Sequence, residues 1–233
     1  MKKILNISLI ALMALLFVGC QELTTEGVTR ITYYADIQLQ GNATIVHQKG
    51  TQFEDPGYVA VLNGEDVSSQ VNVSSNVDVN KSGVYTVSYA FTNEDGFTAS
   101  AKRSVIVLDL TDPVEGFYLT DPNSYRLNAA GAKVAWGAQF ELLVTSNGDG
   151  TYEFDDLLGG YYCQRAGYGS AYAMPGTVSI ADDGTLELVA GGGVAGWGDA
   201  YDDFSGSFDA ETTTFTFTTS YADMDFNVIM TKE

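Results

Sequence analysis

The sequence predicts an all-β protein built as two successive antiparallel β-domains, a sandwich followed by a meander closing into a barrel or a flattened sandwich. Short apolar runs alternate with polar residues at period two, as half-buried strands do. Clusters of Gly, Asn and Asp punctuate these runs at intervals of roughly ten residues. After the first twenty residues, no apolar segment of period 3.6 reaches helical length.

Ahead of the strands, Lys2 and Lys3 precede an apolar run from Leu9 to Val18 that ends in Phe17-Val18-Gly19-Cys20. A run of about ten apolar residues is too short for a spanning helix, which needs ~20, and suits an export signal that is removed. Residues 1–19 are therefore read as a signal peptide and 20–29 as a polar tether without periodicity. The four residues before the cut and at it resemble the bacterial lipobox, with Phe17 standing where leucine is usual. The resemblance implies that Cys20 is diacylated with palmitate-type chains, becomes the mature N-terminus and anchors the protein in the outer membrane. Glu22 close behind it resembles the surface-export signals of Bacteroidetes lipoproteins, which implies a chain facing the cell exterior.

Residues 30–110 read as a sandwich of about seven strands. Tyr85, Val87, Tyr89 and Phe91 share one face of a strand, with Thr86, Ser88 and Ala90 on the other. Asn93-Glu94-Asp95-Gly96 supplies a tight turn, and the strand from Lys102 to Leu108 places Val105 and Val107 on the side of Arg103. Asp55-Pro56-Gly57 and Asn63-Gly64 are further turn signals. In Lys81-Ser82-Gly83-Val84-Tyr85-Thr86-Val87 a tyrosine stands two residues before the position of the second core Cys of an immunoglobulin-type fold, where its hydroxyl ties the preceding corner. Together with Phe53-Glu54-Asp55-Pro56-Gly57-Tyr58 and Arg103-Ser104-Val105-Ile106-Val107, these motifs resemble the bacterial Ig-like domains of surface proteins. The resemblance implies a spacer or an adhesive module.

Thr111-Asp112-Pro113 interrupts the pattern, and the second domain is read as residues 111–233. It holds 19 of the 28 aromatic residues, and 19 acidic residues against 4 basic ones. Phe140–Thr145 with Thr151–Phe154, Val178–Ile180 with Thr185–Val189, and Phe204–Phe208 with Thr213–Thr219 form three hairpins, and Phe226–Met230 closes the chain. Consecutive hairpins favour a meander, as an up-and-down, lipocalin-like β-barrel or a flattened sandwich, because both shorten or remove exposed edges. The whole arrangement, with Glu115-Gly116-Phe117-Tyr118, Gly148-Asp149-Gly150-Thr151-Tyr152 and Gly206-Ser207-Phe208-Asp209 in the second half, resembles two-domain Bacteroidetes surface lipoproteins associated with polysaccharide-utilisation loci. That resemblance implies a glycan-handling context at the cell surface.

Composition narrows the chemistry. Without its signal the chain has nine basic residues against 30 acidic ones, a net charge of −21, so nucleic acid is not expected as a partner, because binding a phosphate backbone draws its affinity from many clustered Lys and Arg. With Cys20 lipidated, Cys163 has no partner for a disulfide and stability must come from packing. It reads as a small apolar residue in a strand, because the one histidine, His47, lies in the other half. No nucleophile elbow, zinc motif or phosphate loop occurs, and no cofactor is expected. Glu141, Glu153 and Glu187 alternate with apolar neighbours as outward strand residues do, which argues against a paired-carboxylate glycosidase. Asp149, Asp155 and Asp156, and again Asp199, Asp202 and Asp203, cluster in loops but lack calcium-loop spacing, so no metal site is assigned.

The stretch from Gly159 to Gly206 has 12 glycines among Tyr161, Tyr162, Tyr168, Tyr172, Trp197 and Tyr201. Glycine-rich loops displaying rings at a barrel mouth suit sugars, whose C–H faces lie on flat aromatics. Trp197, Tyr201, Trp136, Tyr168 and Tyr172 are the candidate ligand-binding residues. The expected function is a non-catalytic glycan-binding accessory of polysaccharide uptake, contacting the outer membrane through its lipid and a polysaccharide or oligosaccharide through these rings. The alternative is a structural or adhesive component docking on an outer-membrane protein.

Overall fold

The computed structural model describes residues 31–233; the stretches read as signal peptide and tether, and Cys20 with them, lie outside the described residues. The first domain contains seven strands: β1 (Asp36–Leu39), β2 (Thr44–Gln48), β3 (Tyr58–Leu62), β4 (Glu65–Asp66), β5 (Asn72–Ser75), β6 (Gly83–Thr92) and β7 (Thr98–Leu108). They form two sheets, ordered β1-β3-β4 and β2-β7-β6-β5. All neighbours are antiparallel except β2, which runs parallel to β7. The alternation along β6 places Val87, Tyr89 and Phe91 inside, against Val105 and Val107 of β7 and Ala60 of β3. Turn chemistry follows the sequence. Asn63 (φ 49°) and Gly64 (φ 86°) make the primed turn that joins β3 to β4. Asn93 Oδ1 accepts from the backbone of Asp95 and Phe97 and holds the β6–β7 turn.

Two polar devices secure this sandwich. The Tyr85 hydroxyl donates to the Lys81 carbonyl at 2.8 Å, the corner tie that its place before Val87 implies. Arg103, on the same face as Val105 and Val107, is fully buried. It pairs with Asp55, and its Nη2 donates to the carbonyls of Gln40 (2.6 Å) and Gly57 (3.0 Å). The Tyr89 hydroxyl donates to the other Asp55 oxygen at 2.6 Å. This cation thus replaces the missing disulfide as a cross-link between the two sheets.

The second domain runs β8 (Gly116–Thr120), β9 (Tyr125–Leu127), β10 (Lys133–Ala135), β11 (Glu141–Ser146), β12 (Thr151–Phe154), β13 (Gly176–Ile180), β14 (Thr185–Gly191), β15 (Gly193–Val194), β16 (Asp199–Ala200), β17 (Asp203–Asp209), β18 (Thr214–Tyr221) and β19 (Met224–Lys232). Eight of these close an antiparallel barrel, β8-β11-β12-β13-β14-β17-β18-β19, because the end of β19 returns to β8 through Met230–Lys232. Of the two expected architectures, the barrel is the one formed. The first half of β19 instead pairs with β9, so the β9–β10 hairpin rises beyond the barrel wall.

The lumen is packed. Tyr118, Leu142, Phe154, Phe215, Phe217 and Phe226 from five strands, with Leu158 from the segment after β12, are packed together and all buried, as expected for a barrel of about eight strands, whose interior just holds side chains. Where a ligand-carrying barrel has a chamber, this one has a filled interior. Strand directions separate the two ends. β8 leaves the linker from the first domain, so the 155–175 segment, the 192–202 segment and the β18–β19 turn all gather at the opposite mouth.

Candidate functional site

The distal mouth is organised by one buried carboxylate. Asp156 is 2% exposed. Its Oδ1 accepts from the backbone of Leu158 and Met174, and its Oδ2 from the backbone of Gly160, each at 2.9 Å. The Cys163 thiol donates to Oδ2 at 3.1 Å. Burial pushes the Asp156 carboxyl above the usual carboxylate range, and the backbone donors work against that rise. These bonds fold the chain into a single π-turn, Tyr161–Arg165, entered through Gly160 at φ 76°. A side chain on the preceding Gly159 would stand 2.7 Å from Val228 Cγ2, so the turn lies directly on the barrel wall. Cys163 therefore sits in a π-turn and not, as the sequence suggests, in a strand. Burial and the Asp156 charge push its thiol well up, which makes it a poor nucleophile.

The turn sets a sequence of rings running from interior to surface. Buried Tyr161 meets Trp136 at 4.9 Å between centroids and Phe226 at 5.5 Å. Next comes Tyr162, perpendicular to Tyr161 at 5.0 Å and to Trp197 at 4.8 Å, and stacked on Tyr168 at 6.1 Å. Tyr172 then packs on Trp197 at 4.8 Å and on Tyr168 at 5.4 Å. Tyr168 (56% exposed), Trp197 (44%) and half-buried Tyr172 line one open hollow of about 270 Å³. Its floor depends on glycine, since a Cβ at Gly196 would fall 2.6 Å from Tyr172 Cε1.

Of the five candidate residues, the structure brings Trp197, Tyr168 and Tyr172 together. Trp136 is corrected: it is 2% exposed, its Nε1 donates to the Gly159 carbonyl at 2.6 Å, and it supports the turn from beneath. The expectation of a displayed ring fails because the buried Gly159 carbonyl gives the indole N–H a partner inside. Tyr201 packs instead over Gly192, whose Cβ would come 2.3 Å from the ring, and belongs to the rim of the core.

Two residues at this mouth went unremarked in the sequence, Arg126 on β9 and Arg165 in the π-turn. Their guanidinium carbons lie 4.8 Å and 5.0 Å from the centroid of the same Tyr161 ring. Arg165 Nε donates to the Trp136 carbonyl at 3.0 Å, while Arg126 Nη1 makes a long bond, 3.4 Å, to the Tyr162 hydroxyl. Arg126 Nε is buried without an acceptor. The only signal available was that four basic residues in so acidic a domain must each have a reason.

The acidic clusters have local roles. Asp199 accepts from the buried Tyr221 hydroxyl at 2.7 Å, and Asp149 caps the turn before Thr151. Among the described residues no three His, Cys, Asp or Glu side chains converge as metal ligands. Glu153 accepts from Thr177 and Asn147, and Glu141 and Glu187 are exposed on strands.

Residues 37–107 match the family described as bacterial surface protein, Ig-like domain, and residues 108–232 match a family of C-terminal domains. Among solved structures, the lipoprotein BT2262 from Bacteroides thetaiotaomicron is 37% identical and superposes with a TM-score of 0.72 over 85% of this chain and 100% of its own. Internalin I of Listeria monocytogenes is 28% identical over 131 residues, which is 54% of this chain and 7% of internalin I, so the chain spans a small part of that relative's length.

Proposed function

The chain belongs to the family of the lipoprotein BT2262, and from that premise we propose that it is a lipid-anchored, non-catalytic protein of the outer membrane that holds a glycan at the distal mouth of its barrel. The observation that carries this reading is the convergence of Tyr168, Tyr172 and Trp197 on one open hollow above a filled lumen. Perpendicular and stacked rings offer apolar faces to the C–H surface of a sugar, and the Tyr hydroxyls and loop backbone are available for its hydroxyl groups. Along the chain the Ig-like domain comes before the barrel, an order that suits a spacer. Glu141, Glu153 and Glu187 serve the strands, which supports a binding role over hydrolysis.

The test uses the soluble chain starting at Gln21. Affinity electrophoresis through polysaccharide gels and a glycan array should show retention, and Trp197→Ala should weaken it by roughly 2 kcal/mol, about thirtyfold in Kd. Its melting temperature should stay within a few degrees, because the indole is 44% exposed. Absence of binding to any glycan in a broad array would falsify the reading. A second reading, docking on an outer-membrane protein, is favoured by the same exposed Trp and Tyr, since these side chains dominate protein interfaces. It predicts that Trp197→Ala abolishes a stoichiometric complex with an isolated outer-membrane protein and leaves polysaccharide gels without effect.

A further inference from the structure

Building on the glycan reading, we infer that the sugar held at the distal mouth is anionic, with Arg126 and Arg165 receiving its carboxylate or sulfate while Tyr168, Tyr172 and Trp197 hold its ring. The distribution of charge leads there. After residue 110 the chain has four basic residues, Arg126, Lys133, Arg165 and Lys232, against 19 acidic ones. With so many carboxylates available, a cation would ordinarily be paired, yet among the described residues neither arginine has a carboxylate within salt-bridge distance. Lys232 is at the opposite end, donating to the Asp112 carbonyl at 2.7 Å. The other three are on the β9–β10 hairpin and in the π-turn, beside the aromatic mouth, where Lys133 lies 3.9 Å over the Tyr125 ring.

Arg126 is the stronger argument of the two. It is half-buried, its Nε has no acceptor, and its one side-chain hydrogen bond is the 3.4 Å contact to the Tyr162 hydroxyl. A guanidinium partly withdrawn from water and left without a counter-charge is an unfavourable state that a bound anion relieves. Tyr162 connects it to the hollow, because the same ring stacks on Tyr168 and abuts Trp197. One ring, Tyr162, thus separates this cation from a saccharide seated on Tyr168 and Trp197. Arg165 is exposed and fixed at Nε by the Trp136 carbonyl, and its guanidinium lies near the same Tyr161 ring. Two forks on one ring match the planar, multidentate recognition that carboxylate and sulfate groups favour.

Calorimetric titration of the soluble chain with tetragalacturonate, a chondroitin sulfate tetrasaccharide and neutral maltotetraose tests this. Expected is at least tenfold tighter binding of one or both anionic probes than of the neutral one, the first two distinguishing carboxylate from sulfate as the preferred group. Arg165→Gln, at an exposed position, should remove most of that preference. Arg126→Lys keeps the charge but loses the fork and should weaken the anionic probe severalfold more than the neutral one. Equal affinity for all three probes overturns the anionic inference and leaves glycan binding standing, as does a preference unmoved in both variants. If no probe binds and the broad array is also silent, the glycan reading itself has failed and this inference falls with it.

Discussion

Asp156 offers the sharpest test of how the mouth is built. Three buried backbone N–H groups, of Leu158, Gly160 and Met174, depend on its two oxygens. A buried donor stripped of its acceptor loses about 1–3 kcal/mol, so Asp156→Ala should lower the stability of the barrel by at least about 3 kcal/mol. That is a large share of the roughly 5–15 kcal/mol that holds a domain together. Asp156→Asn keeps Oδ1 for Leu158 and Met174 but turns an amide N–H2 toward Gly160 and Cys163, so one backbone donor and the weak thiol donor lose their acceptor and the expected change is about 1–3 kcal/mol. The measurement is denaturant unfolding followed by tryptophan fluorescence. Both tryptophans, Trp136 and Trp197, are in the second domain, so the signal reports the barrel separately from the sandwich. An alanine variant that loses less than about 1 kcal/mol, or an asparagine variant as damaged as the alanine one, would refute the assignment of Asp156 as the anchor of the 157–175 segment.

Further expectations follow from the same packing. Arg103→Ala should destabilise the sandwich by roughly 3–5 kcal/mol, read as a shift of its own calorimetric transition, while Arg103→Leu should recover part of the loss by removing the buried charge and keeping apolar volume. Tyr118→Phe should cost about 1–3 kcal/mol, because its hydroxyl is buried on the Val114 carbonyl at 2.6 Å. Tyr85→Phe removes a more exposed tie of the same spacing and should cost nearer 0.5–1 kcal/mol, checked by the midpoint of urea unfolding. Cys163 in the folded chain should alkylate with iodoacetamide at least about tenfold more slowly than free cysteine at pH 8, since its thiol is pushed up, and should react fully once unfolded.

Much of the framework was legible because it depends on short-range rules. The alternation Tyr85-Val87-Tyr89-Phe91 names its own buried face, and Asn63-Gly64 names its turn. Tyr85 was recognisable as a corner tie by its place two residues before Val87. The same device at Tyr118, four residues after Val114, carried no neighbouring motif to announce it. Strand β9 and its partner β10 were missed because three-residue strands give too little alternation to count, and because β9 exists only through its pairing with the first half of β19. The π-turn was beyond pattern altogether. Its cause is the set of bonds to Asp156 from residues two, four, seven and eighteen positions ahead, a tertiary arrangement that no periodicity records.

The rings show where sequence reasoning ends and closure of the barrel begins. Glycine density between residues 159 and 206 marked a place where backbone must approach something closely, and that is what Gly192 beneath Tyr201 and Gly196 beneath Tyr172 do. A ring lying on a glycine is held by packing, so glycine and aromatic together signal contact without saying on which side water stands. Trp136 and Trp197 each have a glycine on their C-terminal side, yet one is 2% and the other 44% exposed. The difference arises because the 133–136 segment folds back over the barrel wall, where the Gly159 carbonyl accepts the Trp136 indole N–H. The 192–202 segment instead projects past the end of β14 and carries Trp197 with it. Exposure of a ring is thus set by which strand ends at which mouth. That order follows from the pairing of β19 with both β8 and β9, and it places Tyr168, Tyr172 and Trp197 together at the end of the barrel farthest from the linker.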